Sequence, residues 1–418
     1  MSNNKKFTYI DLFAGCGGLS EGFMKSGHFH GLAHVEWELP MVNTLRNRLI
    51  SKWNHTEEEA HKSVIHFDIQ KTKELIHGKW DNESIDTYGK TNHESNIYNG
   101  LRGIVGDSNV DLIIGGPPCQ AYSIAGRAQD KNSMRDDYRN YLFEGFVDVV
   151  KEFKPKLFVF ENVPGMLSAK PGDIMVTERV HKAFSDIGYE INLPERLKDH
   201  VYSADDFEVP QKRRRLIIIG VNNKEGLELD EIYKAIDNHK SDKKLVVKDV
   251  LKGLPKFSPL GESIRENGRN ISHKLVGEND ENITSHEARF HNDRDVGIFK
   301  DWIVSKMNEK SLQEKIDYYN NRMNKKSKHA KYRNLEWDKP SPTVVAHLYK
   351  DGLMFIHPDE SQARSITVRE AAILQSFPND FEFIGSNAAC YKMIGNAVPP
   401  KMAESIANGI VEYFKKQK

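Results

Sequence analysis

A short apolar strand stopped by two glycines and two prolines constrains this chain more than any other feature. Residues 112–114 (LII) predict a buried strand, and residues 115–118 (GGPP) end it, because proline cannot continue a β-ladder. Cys119 follows at once, so we predict that its thiol lies on a stiff loop past a strand end. In an open α/β sheet, ligands bind at that edge. The stretch alone leaves two interpretations open: a nucleophile held for reaction, or a buried and inert cysteine.

Three further apolar runs predict strands that also end at polar side chains. They are 32–35 before Glu36 and Trp37, 64–67 before Asp68 and Ile69, and 157–160 before Glu161 and Asn162. A carboxylate at such a position suits ribose hydroxyls, and an indole beside it suits stacking on a base. A surface acid and a packing tryptophan are the more ordinary interpretation.

The chain opens with a predicted strand at 7–13, a glycine-rich turn at 14–18 and then a helix. This order is typical of the first unit of a Rossmann-like domain, in which glycine lets the backbone approach a ligand. The glycine spacing is not G-x-G-x-x-G, so the turn alone is a weak indication. Strands alternating with helices through the first half predict an α/β fold with a mostly parallel sheet.

Composition excludes several classes of protein. The chain has 418 residues with a formal net charge of zero, so any nucleic-acid binding must come from local basic patches. Three cysteines without a C-x-x-C or H-E-x-x-H pattern predict neither a disulfide framework nor a metal site, and they fit a reducing cytoplasm. The sequence shows no run apolar enough to predict a membrane span.

The composition changes near residue 225. From there to about 335 the sequence is polar and rich in lysine, asparagine and aspartate, which predicts a second, smaller domain. We therefore assign 1–225 together with 366–418 to the main domain, and 226–365 to the smaller one. Residues 70–108 are polar and weakly periodic, and they predict an irregular excursion whose role the sequence does not give.

Seven blocks, in one order along the chain, resemble the signature blocks of the DNA (cytosine-5) methyltransferases. They are DLFAGCGG at 11–18, GGPPCQAYS at 115–123, ENV at 161–163, QKRRR at 211–215, PSPTVVA at 340–346, RSITVREAAILQSFP at 364–378 and GNAVPP at 395–400. The joint match is far more specific than any single block. It implies a Rossmann-like methyltransferase domain that uses S-adenosylmethionine, and a smaller target-recognition domain that includes about 255–335.

The resemblance also implies roles for single residues. Cys119 would add to C6 of a flipped-out cytosine, Glu161 would bind its N3 edge, and Arg215 with Arg213 would reach its O2. The residues implied to bind S-adenosylmethionine are Phe13, Ala14, Gly15, Gly17, Glu36, Trp37, Asp68, Ile69, Pro118, Leu142, Asn396 and Val398. The residues implied to contact DNA are Gln120, Ser123, Arg127, Asn162 and Gln211.

Three alternatives remain open. The substrate could be tRNA instead of double-stranded DNA, the chain could be a catalytically silent DNA-binding paralogue, or Glu36 could hold the ribose of a nicotinamide cofactor. The presence of Cys119, Glu161 and Arg215 argues against a silent protein, and the glycine spacing argues against a dehydrogenase. The compact size predicts a cytoplasmic bacterial or phage enzyme that acts as a monomer and is paired functionally with a restriction endonuclease.

Overall fold

The computed structural model describes residues 6–118, 142–171, 173–277 and 283–417. These residues form two compact units. Unit 1 contains the described parts of Met1–Phe207, Arg214–Asp242 and Ala397–Lys418, and unit 2 contains those of Glu208–Arg213 and Lys243–Asn396. Residues 366–396 therefore belong to unit 2, whereas the sequence had assigned them to the main domain. The assignment of catalysis and recognition to these parts remains a prediction.

The strands are β1 Phe7–Leu12, β2 Phe29–Glu36, β3 Val64–His66, β4 Leu112–Gly115, β5 Leu157–Asn162, β6 Tyr189–Ile191, β7 Val201–Ser203, β8 Gln211–Lys212, β9 Arg214–Asn222, β10 Lys256–Glu266, β11 Arg269–Val276 and β12 Ser341–Pro342. The α-helices are α1 Gly18–Lys25, α2 Leu39–Trp53, α3 Glu57–Ser63, α4 Thr72–His77, α5 Asn82–Tyr88, α6 Glu94–Val105, α7 Leu142–Phe153, α8 Val176–Asp186, α9 Leu229–Asp237, α10 Val247–Leu251, α11 Asp293–Val304, α12 Leu312–Met323, α13 Val368–Leu374, α14 Asn387–Asn396 and α15 Pro400–Lys416.

An eight-stranded sheet forms the centre of unit 1 among the described residues. Its order is β3-β2-β1-β4-β5-β9-β6, and β7 pairs with β9. The pairs from β3 to β5 are parallel, and β9 is antiparallel to β5. The strand order reverses between β1 and β4, so the carboxyl ends of β1 to β5 share one edge at a topological switch point. This confirms the predicted α/β fold with a mostly parallel sheet.

The centre of the sheet is apolar because helices cover it. Every residue of β4 and β5 is buried, as expected for parallel strands covered on both faces. Helix α7 contributes Phe146, whose ring packs edge-on against Phe158 and Phe160 of β5. Residues 142–153 thus form a single helix whose buried face belongs to this core.

The first and last helices of unit 1 pack against each other. A Cβ atom added to Gly22 of α1 would lie 2.5 Å from the Cβ atom of Ala403 in α15. Glycine is required there because a larger side chain would push the two helices apart. The apolar face of α15, which includes Met402, Ile406 and Ile410, is buried.

Residues 70–108 are more regular than the sequence predicts. They form α4, α5 and α6, and α4 packs against α6. Gly78 and Gly100 both have positive φ, and their backbones approach each other closely. Helices α4 and α5 have only 6 and 7 residues, and non-helical backbone at Gly100 interrupts α6, so hydrophobic periodicity could not identify them from the sequence.

Unit 2 contains a hairpin that the polar sequence did not predict. Strands β10 and β11 are antiparallel and meet at Asn267-Gly268, where both residues have positive φ, as a two-residue hairpin turn requires. Elsewhere in unit 2, Trp302 of α11 lies in a separate apolar core. Thr367 begins α13 with a capping box, in which its hydroxyl accepts a hydrogen bond from the Glu370 N–H.

Within the described ranges, we find no helix with the length and apolarity needed to cross a membrane.

Candidate active site

Glu161 and Arg215 meet at the carboxyl edge of the sheet. Glu161 is the penultimate residue of β5, so it lies on the strand and not beyond it as predicted. Because β9 runs antiparallel to β5, its first residues lie beside the last residues of β5. Glu161 Oε1 is 2.6 Å from Arg215 Nε, and both side chains are largely buried. Such a short charge-assisted pair fixes the orientation of both groups.

Gly116 leaves room for the Glu161 carboxylate. A Cβ atom added to Gly116 would lie 2.5 Å from Glu161 Oε2, which no side chain could accommodate without movement. The backbone that follows β4 therefore passes directly over the carboxylate. The same backbone reaches Cys119 three residues later.

Asn162 connects the end of β5 to the loop after β4. Its Nδ2 donates to the Pro117 carbonyl at 3.3 Å, and its Oδ1 accepts from the Val163 N–H at 2.9 Å. The side chain is 2% exposed, so it is placed to orient this loop. Its predicted contact with DNA remains a prediction.

Four predicted site residues, Cys119, Gln120, Ser123 and Arg127, lie outside the described residues. Pro118 is the last described residue before them, and it is half-buried. Leu142 begins α7, and its side chain is part of the apolar core. Its predicted contact with the cofactor remains untested.

Arg213 and Gln211 lie inside unit 2. The Arg213 guanidinium is fully buried and donates to the carbonyls of Val344 and Gly395 at 2.8 and 2.9 Å. Gln211 is equally buried, and its Oε1 accepts from the Val344 N–H. Both side chains connect segments within unit 2, and their predicted contacts with the substrate remain predictions.

The loop after β1 has a backbone conformation that lets a ligand approach it closely. Phe13, Gly15 and Gly17 all have positive φ, and only the glycines adopt it without steric cost. A Cβ atom added to Gly17 would lie 2.5 Å from Leu45 Cδ1. Ala14 anchors the loop by donating its N–H to the Val35 carbonyl of β2 at 3.0 Å.

Glu36 at the end of β2 is held by backbone groups. Its Oε2 accepts from the Gly15 N–H, and its Oε1 accepts from the N–H groups of Trp37 and Glu38, each at 2.8 Å. Burial raises the pKa of this carboxyl to about 7 even though the three donors favour its charged form. The adjacent Trp37 side chain is 52% exposed, so its indole offers an open face beside the carboxylate.

Asp68 and Ile69 follow β3 at the same edge. Asp68 is half-buried, and its Oδ1 accepts from the Gln70 N–H at 2.9 Å. Ile69 is 5% exposed, and its side chain belongs to the apolar core. Asp68 therefore presents a polar group at the edge, while the Ile69 side chain is committed to packing.

The C-terminal block falls on both sides of a unit boundary. Asn396 is an exposed residue at the end of α14 in unit 2, and Val398 is a buried residue of unit 1. Gly395 packs so closely against the Val345–Ala346 backbone that no side chain would fit. The predicted contacts of Asn396 and Val398 with the cofactor stay predictions.

Two residues near this edge of the sheet, His66 and Asn92, were not predicted from the sequence. The His66 N–H, at the end of β3, donates to Asn92 Oδ1, and Asn92 Nδ2 donates to the His66 carbonyl. The His66 ring in turn contacts the Trp37 carbonyl through Nε2. Nothing in the local sequence marks this pairing, because the two positions are separated by the helices α4 and α5. Among the described residues, no cluster of potential metal ligands is present.

The sequence matches a known family along almost its whole length. A family model described as C-5 cytosine-specific DNA methylase matches residues 7–78 and 64–412. The chain is 35% identical over 442 aligned positions to the Type II methyltransferase M.Bpa9945I of Bacillus paralicheniformis, covering 96% of this chain and 98% of that protein. It is 32% identical to the Type II methyltransferase M1.HphI of Haemophilus parahaemolyticus, covering 97% and 87%.

Solved structures share the fold. A crystal structure of a prophage-encoded E. coli protein, described as a DNA modification methyltransferase, matches with a TM-score of 0.58 at 24% identity, covering 98% of this chain and 100% of that one. The S. pombe Dnmt2 methyltransferase matches with a TM-score of 0.53 at 13% identity, covering 99% and 100%. These likenesses support the fold alone, whereas the family match and the bacterial relatives confirm the resemblance predicted from the sequence blocks: the chain belongs to the C-5 cytosine-specific DNA methylases.

Proposed function

We propose that this protein transfers a methyl group from S-adenosylmethionine to C5 of a cytosine within a specific double-stranded DNA sequence. The observation that carries the proposal is the buried pair of Glu161 and Arg215, 2.6 Å apart, beneath the glycine-opened loop that leads to Cys119. A carboxyl group and a guanidinium side by side complement the N3 and O2 edge of cytosine. Cys119, three residues after Gly116 in the sequence, would supply the nucleophile that this ring needs.

The chemistry follows from the weak nucleophilicity of cytosine C5. The Cys119 thiolate forms a bond to C6, and Glu161 holds or shares the proton at N3, so that electron density moves to C5. Arg215 stabilises the negative charge that develops toward O2. When bound, S-adenosylmethionine supplies the electrophilic methyl group. Loss of the C5 proton to a base, which water can provide, then breaks the Cys119–C6 bond and restores the ring and the thiolate.

The residues around the β1 and β2 ends fit the methyl donor. The loop at Phe13, Gly15 and Gly17 brings backbone close to a ligand, as a polar methionine end requires. Glu36 offers a buried carboxylate for ribose hydroxyls, and the exposed indole of Trp37 offers a face for the adenine ring. Asp68 lies at the next strand end and is assigned to the adenine edge.

The substrate must leave the duplex to react. C6 of a stacked cytosine is inaccessible to a thiol, so we infer that the base is flipped out, at a cost of roughly a few kcal/mol. Residues 226–365 would then supply sequence recognition. The relatives of this chain are called Type II methyltransferases, which supports protection of host DNA from a partner restriction endonuclease as the biological role. We propose that the protein acts as a monomer in a bacterial cytoplasm.

Bisulfite sequencing of plasmid DNA from cells that express the protein tests the proposal. We expect protected cytosines within one short repeated sequence. Cys119→Ala should abolish protection, and Cys390→Ala is the matched control because Cys390 is a buried cysteine of unit 2. Protection that survives Cys119→Ala would refute the covalent mechanism. No protection by the parent protein would refute DNA as the substrate and direct the next assay to tRNA.

The partnership with a nuclease has its own test. DNA from cells that carry the gene should resist a restriction endonuclease encoded beside it and specific for the same sequence. A gene without a nuclease neighbour, in a host whose DNA is cleaved at the methylated sequence, would exclude this role and leave the methylation chemistry intact.

A further inference from the structure

Strand β3 is an edge strand whose outer side is completed by a side chain. Glu36 of β2 pairs with His66 of β3 on the inner side. On the outer side, the His66 N–H donates to Asn92 Oδ1 at 2.9 Å, and Asn92 Nδ2 donates to the His66 carbonyl at 2.8 Å. The amide of Asn92 thus takes the place of a neighbouring strand and satisfies backbone groups that an edge would leave open.

The His66 ring carries this connection to Trp37. His66 Nε2 is 2.8 Å from the Trp37 carbonyl, and His66 Nδ1 is 2.7 Å from Thr91 Oγ1. A carbonyl only accepts, so Nε2 of the neutral ring carries the proton. The single hydrogen of the Thr91 hydroxyl is shared between His66 Nδ1 and the Tyr88 carbonyl, which is 2.8 Å from Thr91 Oγ1. Burial lowers the pKa of His66, which favours this neutral form. The ring is 8% exposed and cannot turn away without breaking both bonds.

Residues 70–108, the inserted segment, are themselves fixed to the sheet. Arg46 of α2 donates from Nη1 to the Thr91 carbonyl at 2.8 Å and from Nη2 to the Val64 carbonyl at 2.6 Å. Tyr88 packs edge-on against His66 with ring centroids 5.1 Å apart. These contacts are all within unit 1, and they hold residues 88–92 against the strand end that carries Glu36 and Trp37.

The Trp37 indole has no comparable support, because 52% of it is exposed. Its position is therefore fixed mainly through its backbone, whose N–H donates to Glu36 and whose carbonyl accepts from His66. We propose that His66, held by Thr91 and Asn92 of the inserted segment, is a positioning residue that orders Glu36 and Trp37 for the adenosine part of the methyl donor. This inference rests on the proposed function, and it gives the 70–108 segment a role in cofactor affinity.

The test measures binding of S-adenosylhomocysteine to the full-length protein by calorimetry, together with steady-state kinetics. Asn92→Ala should weaken binding and raise the KM for S-adenosylmethionine by roughly 3- to 10-fold, the effect of one or two lost hydrogen bonds. The kcat at saturating donor and the KM for DNA should stay unchanged. Asn99→Ala is the matched control, since Asn99 is an exposed asparagine of the same segment. Equal affinity of Asn92→Ala and the parent protein would overturn the inference.

A double-mutant cycle separates positioning from general destabilisation. If Asn92 acts through Trp37, Asn92→Ala should cost less affinity in a Trp37→Ala background than in the parent protein, and additive losses would contradict the inference. If Asn92→Ala does not fold, Thr91→Val removes the hydroxyl that contacts His66 and the Tyr88 carbonyl, and it should show the same loss of affinity with kcat unchanged. A parent protein that binds no S-adenosylhomocysteine would instead refute the proposed function.

Discussion

Glu36 and Glu161 lie at the same edge of the sheet, and both are buried, but different partners hold them. Three backbone N–H groups surround the Glu36 carboxylate, whereas Glu161 forms a short ion pair with Arg215. Backbone donors orient a carboxylate without neutralising it, and burial then raises the pKa of Glu36 to about 7. Under the proposed function, one type of side chain at equivalent strand ends would have two chemical roles: acceptance of hydroxyl groups at β2, and charge-paired binding of a base at β5.

The largest effect is expected at the paired glutamate. Glu161→Gln keeps an acceptor for Arg215 but cannot share a proton with cytosine N3, so kcat should fall by about 100- to 10,000-fold. Calorimetric binding of S-adenosylhomocysteine should be unchanged. Glu190→Gln, at an exposed position of β6, is the control. Loss of cofactor binding in Glu161→Gln would make Glu161 a structural residue.

The backbone beside Glu161 gives a second test of the role of this glutamate. Gly116→Ala places a methyl group 2.5 Å from Glu161 Oε2, so either the loop or the carboxylate must move. A displacement near 1 Å at a reacting group can cost about 100-fold in rate. We expect this loss in kcat with an unchanged KM for S-adenosylmethionine. A fully active Gly116→Ala enzyme would indicate that the tight approach is irrelevant to catalysis.

A smaller and different effect is expected at the other glutamate. Glu36→Gln replaces an acceptor-only group by an amide, so its NH2 faces a backbone donor and its bonds to ribose weaken. The KM for S-adenosylmethionine should rise by about 10-fold, as expected when a charged hydrogen bond is lost, while kcat at saturation is retained. Glu38→Gln controls for the loss of a nearby charge. If Glu36→Gln lowers kcat and leaves KM unchanged, the assigned roles of the two glutamates are wrong.

The smallest effect is a pH dependence of cofactor affinity that arises from Glu36. Its pKa is raised to about 7, so the carboxyl becomes ionised as the pH rises through neutrality. Ribose hydroxyls donate to the ionised form best, so affinity for S-adenosylhomocysteine should increase by up to about tenfold between roughly pH 6 and pH 8. Its stability contribution has the opposite sign: it is fully present below the ordinary pKa and is lost as the pH rises through about 7. A Glu36→Gln protein that keeps the same slope would assign the titration to another group.

The main sheet was predictable because its strands are continuous apolar runs bounded by glycine, proline or acid. The hairpin of β10 and β11 was not, since residues 261–270 are all exposed and have no hydrophobic alternation. The same limit applies to Asn92, whose partner His66 lies on a distant strand. Hydrophobic patterning reports burial of apolar groups, and it contains no information on which buried polar groups meet.

The QKRRR block shows a second limit. Alternation along a strand would place residues 211, 213 and 215 on one face and assign them one role. In the structure the chain leaves unit 2 after Arg213 and enters unit 1 at Arg214. Gln211 and Arg213 therefore bind backbone carbonyls and N–H groups of unit 2, and Arg215 binds Glu161. A strand break between two arginines cannot be identified from their side chains.

The contact of α1 with α15 also bears on when the enzyme becomes active during synthesis. Gly22 and Ala403 are far apart in the sequence, and Gly22 is synthesised first. Helix α1 therefore remains without this partner until α15 has emerged from the ribosome. Unit 1 cannot complete its packing before then, and a chain interrupted before residue 400 would leave the face of α1 exposed to chaperones and proteases.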